Sequence, residues 1–347
     1  MFQRTILVVV LVAALALGAV NLLVAQDDVA LGPITQRIMD RGELICGVNA
    51  NVAGFGVVND AGDYEGMDID ICRAVAVAIL GDANAISFRP LTGAERQAAI
   101  QSGEIDMMSR NTTWTLSRDT QWGATFGPTT FYDGQGIGTR VELGVTTIEE
   151  LDGASICVQQ GTTTELNIAD AISSRNLDIA VQTYPDATTT WQAYVDGLCE
   201  AWTTDKSGIL SFHATSADPS EHMILDITLS KEPLGPLSPQ SDPQFADIIA
   251  WTVYGLITAE EAGITSENVD EFVNSDNPDI QRFLGSGDNA SGSYLGIKND
   301  FMVDVIRQVG NYGEIFQRNL GVAPFNLGRG LNALWTDGGL LYAPPFR

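Results

Sequence analysis

The chain has 347 residues, 18 of them basic and 44 acidic, giving a formal net charge of −26 with 45% apolar residues. That length suggests two domains and a sizeable core. So negative a chain argues against a nucleic-acid partner, because phosphate binding needs clustered Lys and Arg.

The first residues resemble an export segment. Arg4 is the only charged residue ahead of an apolar run from Ile6 to Ala25, interrupted by Gly18 and Asn21, and Gln26-Asp27-Asp28 returns the chain to water. A run of roughly 20 residues also suffices to cross a bilayer. Residues 1–25 are expected to be a signal peptide cleaved near Ala25, with an uncleaved membrane anchor as the alternative. No cysteine lies near that point, which argues against a lipid anchor. Either outcome places the rest of the chain in a periplasmic or other extracytoplasmic setting. Removing Arg4 with this segment leaves 17 basic residues against 44 acidic ones, scattered rather than gathered in a tail. Cys46, Cys72, Cys157 and Cys199 contain no CxxC pair and no histidine at metal spacing. In an exported chain an even count points to disulfides. Pairing within each half (Cys46 with Cys72, Cys157 with Cys199) is the preferred arrangement of the three possible, and reduced buried cysteines are the alternative.

From Glu43 onward the pattern alternates strand and helix, which implies a largely parallel α/β sheet. Glu43–Val48 reads as a buried strand. Asp70 can cap a helix over Ile71–Leu80, with Gly81 just past its end. Ile86–Leu91 is a second strand, Gly93–Ser102 a helix and Ile105–Met108 a third strand. A comparable unit then recurs: strand Ala154–Val158, a Gly161-Thr162-Thr163 turn, helix Glu165–Ser173, strand Ile179–Thr183, helix Thr189–Leu198 and strand Ala201–Thr204. Gly103-Glu104-Ile105-Asp106-Met107 and Gly197-Leu198-Cys199-Glu200-Ala201 echo each other ahead of a strand, which suggests two similar lobes. The first lobe is expected over 34–134, the second over 139–230, and 236–347 returns to the first as a helical extension. Tyr132–Gly138 and Leu229–Pro236 are the segments that could carry the chain between them. Helices are expected over Phe245–Ala262, Pro278–Leu284 and Phe301–Leu320. His213 and His222 fall in polar surroundings and are read as surface residues.

Three places carry candidate binding chemistry. Arg118 has a planar guanidinium that can grip a carboxylate through two parallel bonds; pairing with Asp119 or capping a helix is the alternative. Thr113 and Thr115 can donate hydroxyls. Gly161-Thr162-Thr163 offers amide donors at a helix start, where the macrodipole favours an anion, although a Thr cap needs no ligand. Asp205 sits where a parallel strand ends, the edge at which such sheets bind ligands; otherwise it is one more solvated acid. Arg110 beside Asn111 can read a side chain or a carboxylate, or pair with Asp106. Trp114, Trp191 and Trp202 could stack on a ligand, but core positions are the commoner use of such residues. Cations and amides for a carboxylate, with an acid for an ammonium, suit a free amino acid. No set of residues nominates bond-breaking chemistry, and none requires a metal or cofactor.

Several motifs together resemble a known family: Gly66-Met67-Asp68-Ile69-Asp70-Ile71-Cys72-Arg73-Ala74-Val75, Arg110 to Asp119, Tyr132-Asp133-Gly134-Gln135-Gly136, Gly161 to Asn167, Ser230 to Pro236, Gly310 to Phe316 and Arg329 to Trp335. The chain resembles the periplasmic amino-acid-binding proteins of ABC importers, family 3 of the bacterial extracellular solute-binding proteins, and within it the general L-amino-acid-binding branch. The match runs from about Arg41 to Pro345. The resemblance implies a two-lobed α/β periplasmic-binding-protein fold (type II), with two hinge strands and a ligand cleft that closes. It further implies that Arg118 holds the α-carboxylate with Thr113 and Thr163 beside it. Asp205, helped by the Asn111 carbonyl, would hold the α-ammonium. Where many narrower relatives place an aromatic residue, this chain has Asn51-Val52-Ala53-Gly54, which argues against a strong stacking preference. Implied partners are a free L-amino acid and a membrane permease with its ATPase, the protein itself acting as a monomer. A dehydratase of the same fold and a ligand-sensing domain are the rival classes.

Overall fold

The computed structural model describes residues 29–286 and 291–347. The expected signal peptide or anchor at 1–25 lies outside the described residues. In chain order the strands are β1 (Leu44–Val48), β2 (Asn51–Val52), β3 (Gly56–Val58), β4 (Tyr64–Glu65), β5 (Ile86–Pro90), β6 (Met107–Met108) and β7 (Ala124–Phe126). These are followed by β8 (Phe131–Arg140), β9 (Ser155–Gln159), β10 (Ala180–Tyr184), β11 (Ala201–Asp205), β12 (His222–Ile224), β13 (Lys231–Leu234) and β14 (Leu237–Pro239). One sheet runs β5-β1-β6-β14-β7 and a second runs β10-β9-β11-β8-β12, with β13 paired to β8. β1 lies parallel to β5 and β6, and β9 parallel to β10 and β11, so each sheet has the parallel heart expected of alternating strands and helices.

The chain passes between the sheets twice, through the segments singled out for that role. The first four residues of β8 pair antiparallel with β13, bringing Asp133 opposite Glu232 and Phe131 opposite Leu234. These two strands are the hinge. Beyond the pairing β8 continues into the second sheet, where Gly138 packs its backbone against the Trp202 indole; a side chain there would collide with Trp202 Nε1.

The helix Met67–Leu80 is buried on nearly every side. A helix apolar on most of its faces needs cover nearly all round, and the C-terminal helices Pro243–Glu261 and Phe301–Val309 supply it with Ile248, Leu256, Met302 and Ile306. Truncating a residue such as Ile306 to Ala there costs about 2–5 kcal/mol. The helical C-terminal region therefore packs on the first sheet's side. Asp242 fastens it: one carboxylate accepts from Phe245 N (2.9 Å), capping Pro243–Glu261, and from Ile34 N (2.8 Å) at the start of helix Pro33–Arg41. Cys46 is bonded to Cys72 and Cys157 to Cys199, tying β1 to its covering helix and β9 to the turn before β11. The loops closed span 26 and 42 residues, so each bridge stabilises by about 3–4 kcal/mol on the chain-entropy model.

The structure corrects three expectations. Asp70 does not cap its helix, which starts at Met67 behind Gly66; its carboxylate instead accepts from Arg318 Nε (2.9 Å) and Asn319 Nδ2 (2.8 Å) of the C-terminal region. The helix expected over Phe301–Leu320 breaks at Gly310, and a capping box of Asn311 and Glu314 starts a new turn at Tyr312. His213 and His222 are not free surface residues. His213 is buried, and both rings pack with Trp191, His222 also bonding the Tyr194 hydroxyl at 3.0 Å. Burial pushes the His213 imidazole down to about 4.

Candidate functional site

The helix Thr163–Arg175 starts at the end of β9. Thr162 caps it by accepting from Glu165 N (3.1 Å), and Gly161 (φ 72°) makes the left-handed turn before it. Gly161 N donates to the Glu165 carboxylate (2.7 Å), so that donor is spent. The amides of Thr163 and Thr164 fall in the first turn, where no intrahelical acceptor exists. Opposite them stands the segment after β6. Thr113 bridges to Leu234 of the hinge, and Trp114 N donates to Pro233 O (2.8 Å).

The two sides touch. Thr113 Oγ1 lies 3.3 Å from Thr163 Oγ1, and Thr163 Oγ1 lies 3.0 Å from Glu232 Oε2. A carboxylate only accepts, so the single Thr163 proton goes to Glu232 and Thr113 donates to Thr163. Arg96 makes a second bridge, donating to Gly93 O (3.0 Å) on its own side and to Gly161 O (3.1 Å) across the gap. Arg118 donates to Thr113 O (3.0 Å) and lies over the Trp122 ring. Arg118 and Thr163 line a cavity of about 560 Å³ together with Trp122, Thr115 and Asn167.

Asp205 ends β11 and is 6% exposed. Among the described residues its carboxylate accepts no hydrogen bond, not even from the helix Lys206–Ala214 that it precedes. Burial holds its carboxyl well above the ordinary range, and the charges of Asp133 and Glu232 push the same way against Arg118 and Arg96. Arg118 and Asp205 thus feel each other's charge without meeting in an ion pair. Burial also depresses all three arginines, Arg110 to about 10, which still leaves it charged.

The remaining candidates are placed as follows. Asn111 adopts φ 34° and is held there by Asp68, which accepts from its amide at 2.6 Å and from Ser109 Oγ at 2.7 Å. Such backbone strain tends to persist where function over-determines it. Burial raises the Asp68 carboxyl to about 6. Arg110 donates to Leu91 O (2.8 Å) and lines a smaller cavity of about 110 Å³ with Asn49 and Asp186. Its expected alternative partner, Asp106, is taken by Arg37 and Arg41. Trp191 and Trp202 belong to the core of the second sheet, while Trp114 is half exposed and stacks on Phe126. Val52 is buried and brings no aromatic ring to the cleft. Sequence reasoning missed Arg96, Asp133 and Glu232, single charged residues in a helix and in two linkers, and only the packing brings them together.

A parallel-centred pair of sheets, two crossing strands and charged groups converging between them define a hinged binding protein. Residues 44–262 match the model of the bacterial extracellular solute-binding proteins, family 3, and the chain belongs to that family. It is 48% identical to the general L-amino acid-binding periplasmic protein AapJ of Rhizobium johnstonii, over 96% of this chain and 98% of that one. It is 44% identical to the glutamate/glutamine/aspartate/asparagine-binding protein BztA of Rhodobacter capsulatus, over 95% and 98%. A solved ABC-transporter periplasmic binding protein from Brucella ovis, with glutathione bound, superposes with a TM-score of 0.88 at 45% identity, covering 90% of this chain and 99% of that one. These relatives share the C-terminal helical region beyond residue 262. Among the described residues, no helix is long and apolar enough to cross a membrane.

Proposed function

We propose that the chain is the extracytoplasmic substrate-binding component of an ABC importer for L-amino acids, recognising the two charged groups that every α-amino acid shares. The carrying observation is a pair of buried opposite charges held apart: among the described residues, Arg118 has most of its donors unspent and Asp205 has no donor. A zwitterion between them satisfies both. Arg118 takes the α-carboxylate with the Thr163 amide, and the Thr113 and Thr163 hydroxyls beside it turn their protons from Thr163 and Glu232 to the ligand; Asp205 takes the α-ammonium, helped by the Asn111 carbonyl. Arg110 reads the outer part of the ligand. The lobes divide at the hinge into 34–134 with 236–347, and 139–230. Ligand captured by one lobe closes the other over it, and closure proceeds only as far as the extra contacts favour it. The closed monomer delivers its cargo to a membrane permease with its ATPase, performs no chemistry on it and binds no nucleic acid. If residues 1–25 are not cleaved, they tether it to the membrane.

The cavity beside Arg118 supports a second ligand class. At about 560 Å³ it extends past what one amino acid fills. A γ-glutamyl peptide such as glutathione, which the Brucella ovis relative holds, presents the same α-ammonium and α-carboxylate head with its remainder directed outward. Titrating the ligand-stripped protein with the twenty amino acids and with glutathione tests both. Micromolar binding that Arg118→Ala and Asp205→Ala abolish supports the shared-group clamp, whereas binding that survives both removes it.

A further inference from the structure

We propose that Asp133 and Glu232, one on each hinge strand, join Asp205 as a single three-carboxylate acceptor, so that a ligand ammonium entering it displaces a proton. The inference rests on Asp205 being the ammonium residue. Its geometry comes from the strand register. Asp133 is directly opposite Glu232 in the β8–β13 pair, and Asp205 is directly opposite Gln135 in the β8–β11 pair. Asp133 and Gln135 are two apart on β8, so all four side chains project from one face of the three-stranded ribbon. Directly opposed residues stand about 4.5–5.5 Å apart at Cβ, and like charges there repel.

Two independent observations point to a missing donor. Asp205, 6% exposed, accepts no hydrogen bond among the described residues. Among the described residues the neighbouring Gln135 Oε1 is likewise buried without a partner. The orientation of that amide is fixed. Thr203 gives its proton to Gly136 O (2.6 Å), so Thr203 Oγ1 must accept from Gln135 Nε2 (2.9 Å), which also donates to Thr164 O (2.9 Å). Acceptors outnumber donors on this face. An ammonium brings three donors and one positive charge.

The other two carboxylates reach outward from the same cluster. Glu232 accepts from Thr163 Oγ1 (3.0 Å), Asn167 Nδ2 (2.9 Å) and Ser230 Oγ, gripping the start of helix Thr163–Arg175. Asp133 accepts from Gly134 N (2.7 Å) and Ser207 N (3.2 Å) at the start of helix Lys206–Ala214. The hinge is therefore bonded to both helices that begin at the cleft. The charges facing the cluster are Arg96, Arg110 and Arg118; Lys206 turns away to Thr228 (2.7 Å). With no ligand, burial and the neighbouring acidic charges raise the Asp205 and Asp133 carboxyls, Asp133 to about 6. An arriving ammonium favours the ionised form, so binding expels protons that the empty cluster keeps.

The test is calorimetry on the ligand-stripped protein with L-glutamine, whose side chain does not titrate. It is run near pH 6 and pH 8 in pairs of buffers that differ in ionisation enthalpy. Wild-type protein is expected to release protons on binding near pH 6 and to bind more weakly there than near pH 8. Asp133→Asn weakens binding near pH 8 by about tenfold, but the gap narrows near pH 6 and the proton release falls. Glu232→Gln, which keeps an acceptor for Thr163 and Asn167, repeats that pattern if Asp133→Asn does not fold. Proton release and a pH profile unchanged in these variants overturn the cluster while leaving Asp205 as the ammonium residue. Wild-type affinity in Asp205→Asn overturns that assignment, and the cluster with it.

Discussion

The two walls of the cleft are built from opposite materials. Arg96, Arg110 and Arg118, all on the side of the first sheet, are buried and lose basicity to desolvation. Asp205, with Asp133 and Glu232 on the hinge, forms an acidic wall in which burial and repulsion resist ionisation of the two aspartates. Neither wall is stable as a charged surface alone, since burying an unpaired charge is costly. The Thr113–Thr163 and Arg96–Gly161 hydrogen bonds cross directly from one side to the other. The contrast puts a buried positive face and a buried negative face on the two sides of one cleft, the pairing on which the proposed capture of a zwitterionic head group rests.

Removing a charge from either wall breaks this arrangement, and the two walls should respond differently. Arg118→Ala forfeits two charge-assisted bonds of about 1.5–3 kcal/mol each, weakening binding by two orders of magnitude or more by calorimetry. Asp205→Asn costs about 2–5 kcal/mol of binding as a buried charge pair is broken, yet it should raise the thermal midpoint of the ligand-free protein by relieving repulsion. An acidic-wall variant that lowers that midpoint would contradict the strain assigned to the wall.

The pH dependence of stability sharpens the contrast. Asp133 titrates at about 6 in the fold against an ordinary 3.8. The folded state holds the proton more tightly, so this stability is fully present below the ordinary value and is lost as pH rises through about 6. Asp133→Asn should flatten that part of the ligand-free melting profile. Smaller effects belong to the contacts between the walls. Thr113→Val removes the hydroxyl bridge to Thr163 and should weaken binding by about 0.5–1.5 kcal/mol. Thr162→Ala removes only a helix cap and should cost about 1 kcal/mol of stability, with little change in the ratio of affinities among amino acids.

Much of the scaffold was legible in the sequence because its signals are local. The apolar run at Leu44–Val48, the Thr162 cap and the Pro at the start of Pro243–Glu261 each mark an element within a few residues. The break at Gly310 was also written there, in Asn311 and Glu314 at capping-box spacing, but the apolar period across it is continuous. Arg118, Thr113, Thr163 and Asp205 could be named because each occupies a helix start, a strand end or a hydroxyl-rich segment. Asp133 and Glu232 could not, since they are two acids among 44, and only the cross-strand register sets them face to face. The histidines were misread for the same reason: their polar sequence neighbours hide a burial supplied by Trp191 and Trp202 from elsewhere in the chain.

The most direct test of the zwitterion clamp is to titrate ligand-stripped protein with one amino acid and with its two analogues lacking the α-ammonium or the α-carboxylate. The clamp predicts that the intact amino acid binds and that each analogue loses at least about a hundredfold in affinity. It further predicts that Asp205→Asn narrows the loss only for the analogue without the ammonium, and Arg118→Ala only for the one without the carboxylate. Either analogue binding as tightly as the parent amino acid would contradict it.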